Sequence, residues 1–152
     1  ETARIIHFIW LGPRPIPSSF TDTILPRWRE LNPGFEVRLW TEQDVQLIEL
    51  VNQDVIANTK LNPGLRADFL RLELLYNHGG VYADVDMVCE QSIEPLLEMA
   101  AGRFTLGISN TQVLEVNNGV MLSSKGHPLL KYLIEHVALS FAAEFKLETE
   151  KR

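Results

Sequence analysis

A chain of 152 residues with 45% hydrophobic content can bury one moderate core, and it reads as a single domain over residues 1–152. A formal charge of −6 argues against a nucleic-acid partner, because gripping a phosphate backbone requires a basic face. The single cysteine, Cys89, excludes an intramolecular disulfide framework and fits a reducing compartment.

In chain order, Arg4–Trp10 reads as a buried strand, followed by the Pro-rich loop Gly12-Pro13-Arg14-Pro15-Ile16-Pro17. Ser18 or Ser19 is placed to cap a helix running toward Leu31, which Asn32-Pro33-Gly34 ends. Phe35–Trp40 alternates apolar and charged residues as a strand does. Thr41-Glu42-Gln43-Asp44 puts acids in the first turn of a following helix. Residues 52–62 read as a polar connection. Leu65, Phe69, Leu72 and Tyr76 then fall on one apolar helical stripe. Pro63 suits the first turn of that helix, and Gly79 the left-handed position just past its end.

An apolar strand carrying Asp84 and Asp86 follows at once. Ser92–Ala101 reads as a short helix with Pro95 in its first turn. Phe104–Ser109 and Val113–Ser123 read as strands, the second interrupted at Asn117-Asn118-Gly119. Pro128–Phe145 reads as a long helix with Leu129, Leu133, His136 and Leu139–Ser140 on its inner side. The charged tail from Glu144 is expected to fray. Strands alternating with helices predict an α/β fold with a mainly parallel sheet flanked by helices. No apolar run reaches the length of a membrane span and no signal peptide is visible, although a first residue of Glu1 leaves room for a removed leader.

The most informative stretch is Gly79-Gly80-Val81-Tyr82-Ala83-Asp84-Val85-Asp86. Strand alternation would send Asp84 and Asp86 to one face, roughly 6.6 Å apart along the chain, where they can converge on one cation or polar ligand. Two unpaired carboxylates in an apolar setting cost several kcal/mol, so a divalent ion carrying phosphate oxygens is the natural occupant. An Asp-x-Asp triplet alone is a weak signal; the capped helix and Gly-Gly turn before it give it weight.

Other residues carry two readings each. Asp68 and Arg71 are spaced for a surface ion pair on one helix face, but Arg71 also has the planar fork that holds phosphate or paired hydroxyls. Arg66 is expected to point to solvent. Trp10, at the end of the first strand, is either a core residue or a platform for a nucleobase. Trp28 and Trp40 read as packing residues, His7 as a buried hydrogen-bonded strand residue, and His78 as a helix C-terminal residue. Asn117-Asn118-Gly119 suits a left-handed turn as well as a polar site. No zinc-type His or Cys-His spacing, Gly-x-Ser-x-Gly elbow or Gly-x-Gly-x-x-Gly loop occurs.

The run Ala67–Asp86 resembles the sugar-nucleotide-binding region of the Asp-x-Asp glycosyltransferases of family 32, a group that is similar to the glucosylating domains of large bacterial toxins. Ile5-Ile6-His7-Phe8-Ile9-Trp10-Leu11-Gly12 and Trp28…Asn32-Pro33-Gly34…Leu39-Trp40 match the same family in order, so the resemblance covers roughly residues 4–123. It implies a GT-A-like nucleotide-diphosphosugar transferase fold. It also implies metal-dependent sugar transfer from a UDP- or GDP-sugar to a glycan, lipid or protein acceptor, with retention of configuration. By that resemblance Asp86 ligates Mn²⁺ or Mg²⁺, and Asp84 assists through water or binds ribose and sugar hydroxyls. Asp68 and Arg71 hydrogen-bond the transferred sugar and its phosphate, Trp10 stacks on the base, and Asn118 lies near metal and sugar. Asp84, Asp86 and Arg71 would form the catalytic set.

Family catalytic domains run beyond this length, so the lid and much of the acceptor site are expected to be short or absent. One rival is a nucleotide-sugar-binding module without turnover. Another is a haloacid dehalogenase-type phosphatase with Asp84 as nucleophile and Asp86 as acid/base. The phosphatase needs a further acid, usually Asp, and no Asp follows Asp86. The composition suits the bacterial cytosol, and a Golgi-lumen domain or secreted effector would read the same.

Overall fold

The computed structural model of the protein describes residues 2–110 and 112–149, with side chains through residue 109 and over 112–142. Its strands are β1 (Ile5–Ile9), β2 (Glu36–Trp40), β3 (Gly80–Ala83), β4 (Thr105–Asn110) and β5 (Leu114–Ser123). Its helices are α1 (Leu25–Leu31), α2 (Glu42–Leu47), α3 (Gln53–Ile56), α4 (Pro63–His78), α5 (Glu94–Ala100) and α6 (Pro128–Thr149). The strands form one sheet in the order β2-β1-β3-β5-β4. β2, β1 and β3 run parallel, with Ile5 opposite Glu36 and Ile6 opposite Val81. β5 and β4 complete the sheet antiparallel, with Val81 opposite Leu122.

Alternation along the central strands divides the core into two layers. Ile6, Phe8, Val81, Ala83 and Leu122 point to one side and pack against Phe20, Trp28 and Leu97. Ile9, Tyr82 and Met121 point to the other and meet Phe69, Leu70 and Leu74 of α4 and Leu130 of α6. A strand covered on both faces has to be apolar at nearly every position, and Ile5-Ile6-His7-Phe8-Ile9 is.

Local signals place α4 where they predict it. The Asn62 side chain accepts from the Gly64 and Leu65 amides, Pro63 opens the helix, and Gly79 ends it at φ +68° with its amide bonded to the Leu75 carbonyl. Thr41 and Asp44 form a reciprocal capping box at the start of α2.

Several expectations need correcting. α4 does not bury a single stripe: Arg66, Phe69, Leu70, Arg71, Glu73, Leu74 and Leu75 are all buried, because the helix lies between the sheet, α3 and α6. Neither Ser18 nor Ser19 caps α1, which is preceded by a π-helical turn, Phe20–Ile24, whose first amides bond to the Pro17 carbonyl. Residues 52–62 are not merely a polar link, since α3 buries Val55 and Ile56.

On α6 the inner face carries Leu130, Ile134, Val137, Ala138 and Phe141, while Leu129, His136 and Leu139 are exposed. The helical period is right and its phase is off by one residue. The helix also continues to Thr149, through most of the tail expected to fray; residues 150–152 lie outside the described residues. Among the described residues no helix is long and apolar enough to cross a membrane.

Candidate functional site

β3 ends at Ala83, so Asp84 and Asp86 are not the alternating positions of one strand. The Asp84 amide instead donates to the Gly119 carbonyl at 2.8 Å, and the Met87 amide closes a turn onto the Asp84 carbonyl at 3.0 Å. Val85 and Asp86 form the corner of that turn. On its far side Trp28, a packing residue as expected, donates from Nε1 to the Met87 carbonyl at 2.7 Å. The acid turn is therefore held at both ends.

Asp84 and Asp86 nevertheless line one cleft of about 730 Å³, shared with Trp10, Gly12 and Arg14 after β1, Asn62, Pro63, Gly64 and Ala67 at the start of α4, and Arg71 and Tyr82. It opens beyond the carboxyl ends of the parallel strands β1 and β3, the usual place for ligands in such sheets.

Arg71 organises the floor of this cleft. It is 5% exposed, so the surface-pair reading does not hold for it. One guanidinium nitrogen meets Asp68 Oδ1 at 2.9 Å; the other lies 3.3 Å from Asp84 Oδ1 and donates to the Asn118 carbonyl at 2.8 Å. The Asn118 amide returns to Asp68 Oδ1 at 3.2 Å. Asp68, Arg71, Asp84 and Asn118, picked out separately in the sequence, thus belong to one hydrogen-bonded network drawn from α4, β5 and the acid turn.

Two members of the site were not anticipated. Tyr82 donates its hydroxyl to Asp84 Oδ1 at 2.5 Å, and the Arg71 guanidinium lies 4.4 Å from the centre of its ring. Burial raises the Tyr82 phenol above its ordinary pKa, so it stays a proton donor to the carboxylate. Its position two residues before Asp84 was the available signal, because strand neighbours at i and i+2 share a face.

Gly119 is the second. No left-handed turn forms at Asn117-Asn118-Gly119. β5 bulges there instead, with Gly107 opposite Asn117 but Leu106 opposite Met121, and this pushes Asn118 and Gly119 toward the acid turn. A Cβ on Gly119 would lie 2.9 Å from Asp84 Oδ2 and 2.8 Å from Asn117 Oδ1.

Asp86 is exposed and makes no hydrogen bond or ion pair among the described residues. Nor do those residues include a cluster of three or more His, Cys, Asp and Glu side chains suited to a metal. Such a donor set fits Mg²⁺ or Mn²⁺, which bind through one or two carboxylates and complete their shell with substrate phosphates and water. Asp84 Oδ1 is already engaged by Tyr82 and Arg71, which leaves Asp86 as the carboxylate of the pair with both oxygens unengaged among the described residues.

Trp10 borders the cleft half-buried, its indole N–H tied to the Arg14 carbonyl at 2.7 Å. Arg66 is not solvated: it is 1% exposed, with both terminal nitrogens 2.7 Å from the Glu42 carboxylate and Nε bonded to the Ile56 carbonyl. Its partner sits on α2, beyond the reach of any helix-spacing rule. Those bonds hold the Glu42 carboxyl below the usual range, and Glu42 in turn accepts the Gly12 amide at 2.8 Å. His7 is buried as expected, accepting from Trp40 Nε1 at Nδ1 and donating from Nε2 to the Gly79 carbonyl. His78 lies against Trp40, their ring centres 5.4 Å apart.

The model of the glycosyltransferase sugar-binding region containing the DXD motif matches residues 20–102, more than half the chain and including the acid turn. The chain belongs to this glycosyltransferase family. Inositol phosphoceramide mannosyltransferase 3 of Schizosaccharomyces pombe is 30% identical over 146 residues, covering 88% of this chain and 36% of its own length. Subversion of eukaryotic traffic protein A of Legionella pneumophila is 24% identical over 173 residues, covering 94% of this chain and 26% of its own length. The chain therefore spans about a quarter to a third of these relatives. In three dimensions the PaToxG glycosyltransferase superposes with a TM-score of 0.67 over 94% of this chain and 62% of that one, at 14% identity. That likeness establishes the fold, which is GT-A-like.

Proposed function

We propose that this chain carries the donor site of a metal-dependent, retaining glycosyltransferase that moves a sugar from a UDP- or GDP-sugar to an acceptor hydroxyl. The observation that carries the reading is the acid turn: Asp84 pinned by Arg71 and Tyr82, with Asp86 left free, in a cleft of about 730 Å³. Asp86, with Asp84 through water, would hold Mn²⁺ or Mg²⁺. When bound, the ion neutralises charge on the departing diphosphate, an effect of several kcal/mol in such reactions.

The chain's own side chains do the rest. Trp10 offers its ring to the base, as aromatic platforms do for unpaired bases. Arg71 holds the sugar-proximal phosphate, and Asp68 and Asn118 hold sugar hydroxyls. Tyr82 fixes the orientation of the Asp84 carboxylate at the cleft wall. The bond from the anomeric carbon to the phosphate oxygen breaks while the acceptor oxygen bonds to the same face, and the acceptor proton passes to the departing phosphate. The acceptor is a glycan, lipid or protein hydroxyl. The relative named for mannosylating inositol phosphoceramide supports the lipid class and a mannosyl donor.

A thermal-shift panel of UDP- and GDP-sugars, each with and without MnCl₂, tests the reading, because a ligand of the folded state raises the melting temperature by mass action. The expected result is a shift for one donor that requires the metal. Stabilisation without any transfer or hydrolysis would make the chain a nucleotide-sugar-binding module. No shift with any donor would contradict the proposal.

A further inference from the structure

Arg14 lies on the loop that leaves β1, exposed between Pro13 and Pro15, and lines the same cleft as Asp84 and Asp86. Its guanidinium makes no hydrogen bond or ion pair among the described residues; only its carbonyl is used, by Trp10. The other arginine of the cleft is in the opposite condition. Arg71 is buried and committed to Asp68, Asp84 and the Asn118 carbonyl.

Charge balance gives this contrast a meaning. A divalent ion at the acid turn offsets the two carboxylates of Asp84 and Asp86, and Arg71 is offset by Asp68. With Arg71 already neutralised by Asp68, the two negative charges of a nucleotide-diphosphosugar have no full counter-charge among the other side chains of the cleft. Arg14 is the cleft-lining cation still available, and a guanidinium fork is well shaped for phosphate oxygens.

The loop that presents Arg14 is built rather than slack. Arg66, buried under α3, grips Glu42 with both terminal nitrogens, and Glu42 accepts the Gly12 amide at 2.8 Å. Gly12 adopts φ +95° and sits so near Pro63 that a Cβ would lie 2.7 Å from its ring. The Arg14 carbonyl is fixed by the Trp10 indole at 2.7 Å, and prolines on either side fix the φ of their own positions. A residue whose backbone is already ordered loses less freedom when its side chain engages a ligand.

We infer that Arg14 is a donor-binding residue that engages the diphosphate, presented at the cleft by a loop that Glu42 and Arg66 hold in place. This rests on the donor-site reading above, and the test separates the two. Calorimetric titration of UDP and of GDP into the full chain with MnCl₂ is run on the native protein, Arg14→Ala and Arg14→Lys, at low and high NaCl.

Native protein that binds one nucleotide, with Arg14→Ala weakening it about tenfold at unchanged melting temperature, supports the inference. Partial recovery in Arg14→Lys and a smaller gap at high NaCl are also expected, since salt screens exposed charge. Affinity within twofold of native in Arg14→Ala would overturn this inference alone. So would a loss that salt does not reduce, which would indicate packing rather than charge. Native protein that binds neither nucleotide would overturn the donor-site reading with it.

Discussion

Gly119 leaves the space that the Asp84 carboxylate fills: a Cβ there would lie 2.9 Å from Oδ2, inside any normal contact. The same residue's carbonyl accepts the Asp84 amide at 2.8 Å, so β5 fixes both the backbone and the side chain of the first acid. Gly119→Ala must push Asp84 away from Tyr82 and Arg71, against a cost of about 1–3 kcal/mol for overpacking. Metal-dependent donor affinity should fall by roughly tenfold or more, since each 1.4 kcal/mol is a factor of ten. Calorimetry checks this, and undiminished affinity would show that the position of Asp84 is unimportant.

Arg71 is buried with four acceptors around it, Asp68, Asp84 and the Asn118 and Ala67 carbonyls, so removing it leaves Asp84 and Asp68 without their cation. Loss of one partner of a buried pair costs about 3–5 kcal/mol, and the partial exposure of both acids lowers this to about 2–3 kcal/mol for Arg71→Ala. Urea unfolding measures it. A change below about 0.5 kcal/mol is what a surface pair would give, and would count against the network.

Burial of His7 lowers its pKa from 6.5 to about 4. The unfolded chain therefore binds a proton that the folded chain refuses between those values. Stability from this residue is complete above pH 6.5, declines as the pH falls, and is exhausted near pH 4, a swing of about 3 kcal/mol. His7→Gln, which keeps an acceptor for Trp40 and a donor for Gly79, should show a smaller drop in melting temperature between pH 7 and pH 5. Parallel profiles for the two proteins would place the acid sensitivity elsewhere.

Trp10 borders the cleft with its ring orientation set by the Arg14 carbonyl. Stacking on a base is worth roughly 1–3 kcal/mol and does not sense the sugar. Trp10→Ala should therefore weaken nucleoside diphosphate and nucleotide-sugar by the same factor. Competition binding with the two ligands distinguishes this from a sugar contact, which would spare the free nucleotide.

Features that sequence makes legible here are those set by neighbours in the chain. Asn62, Pro63 and Gly79 delimit α4 because a cap, a first-turn proline and a positive φ are local requirements. The order of strands and helices followed from periodicity in the same way. Features that escaped depend on partners far along the chain. Arg66 looks like a solvent-facing arginine until α2 brings Glu42 to it. The strand carrying the acids stops at Ala83 because the Met87 amide turns the chain back onto the Asp84 carbonyl, and the bulge that delivers Gly119 forms only when β4 and β5 pair. The inner face of α6 lies one residue out of phase with the sequence pattern because Leu129 and Leu130 are equally apolar, and the packing against α4 chooses between them.

The central claim is that Asp86 holds a divalent ion that carries the donor's diphosphate. Titrating UDP and GDP into native protein and Asp86→Asn, with and without MnCl₂, tests it most directly. The account predicts binding that requires manganese in the native chain and is lost in the variant, with no change in melting temperature, since Asp86 is exposed and bonds to nothing described around it. Equal manganese-dependent affinity in the two proteins would contradict it.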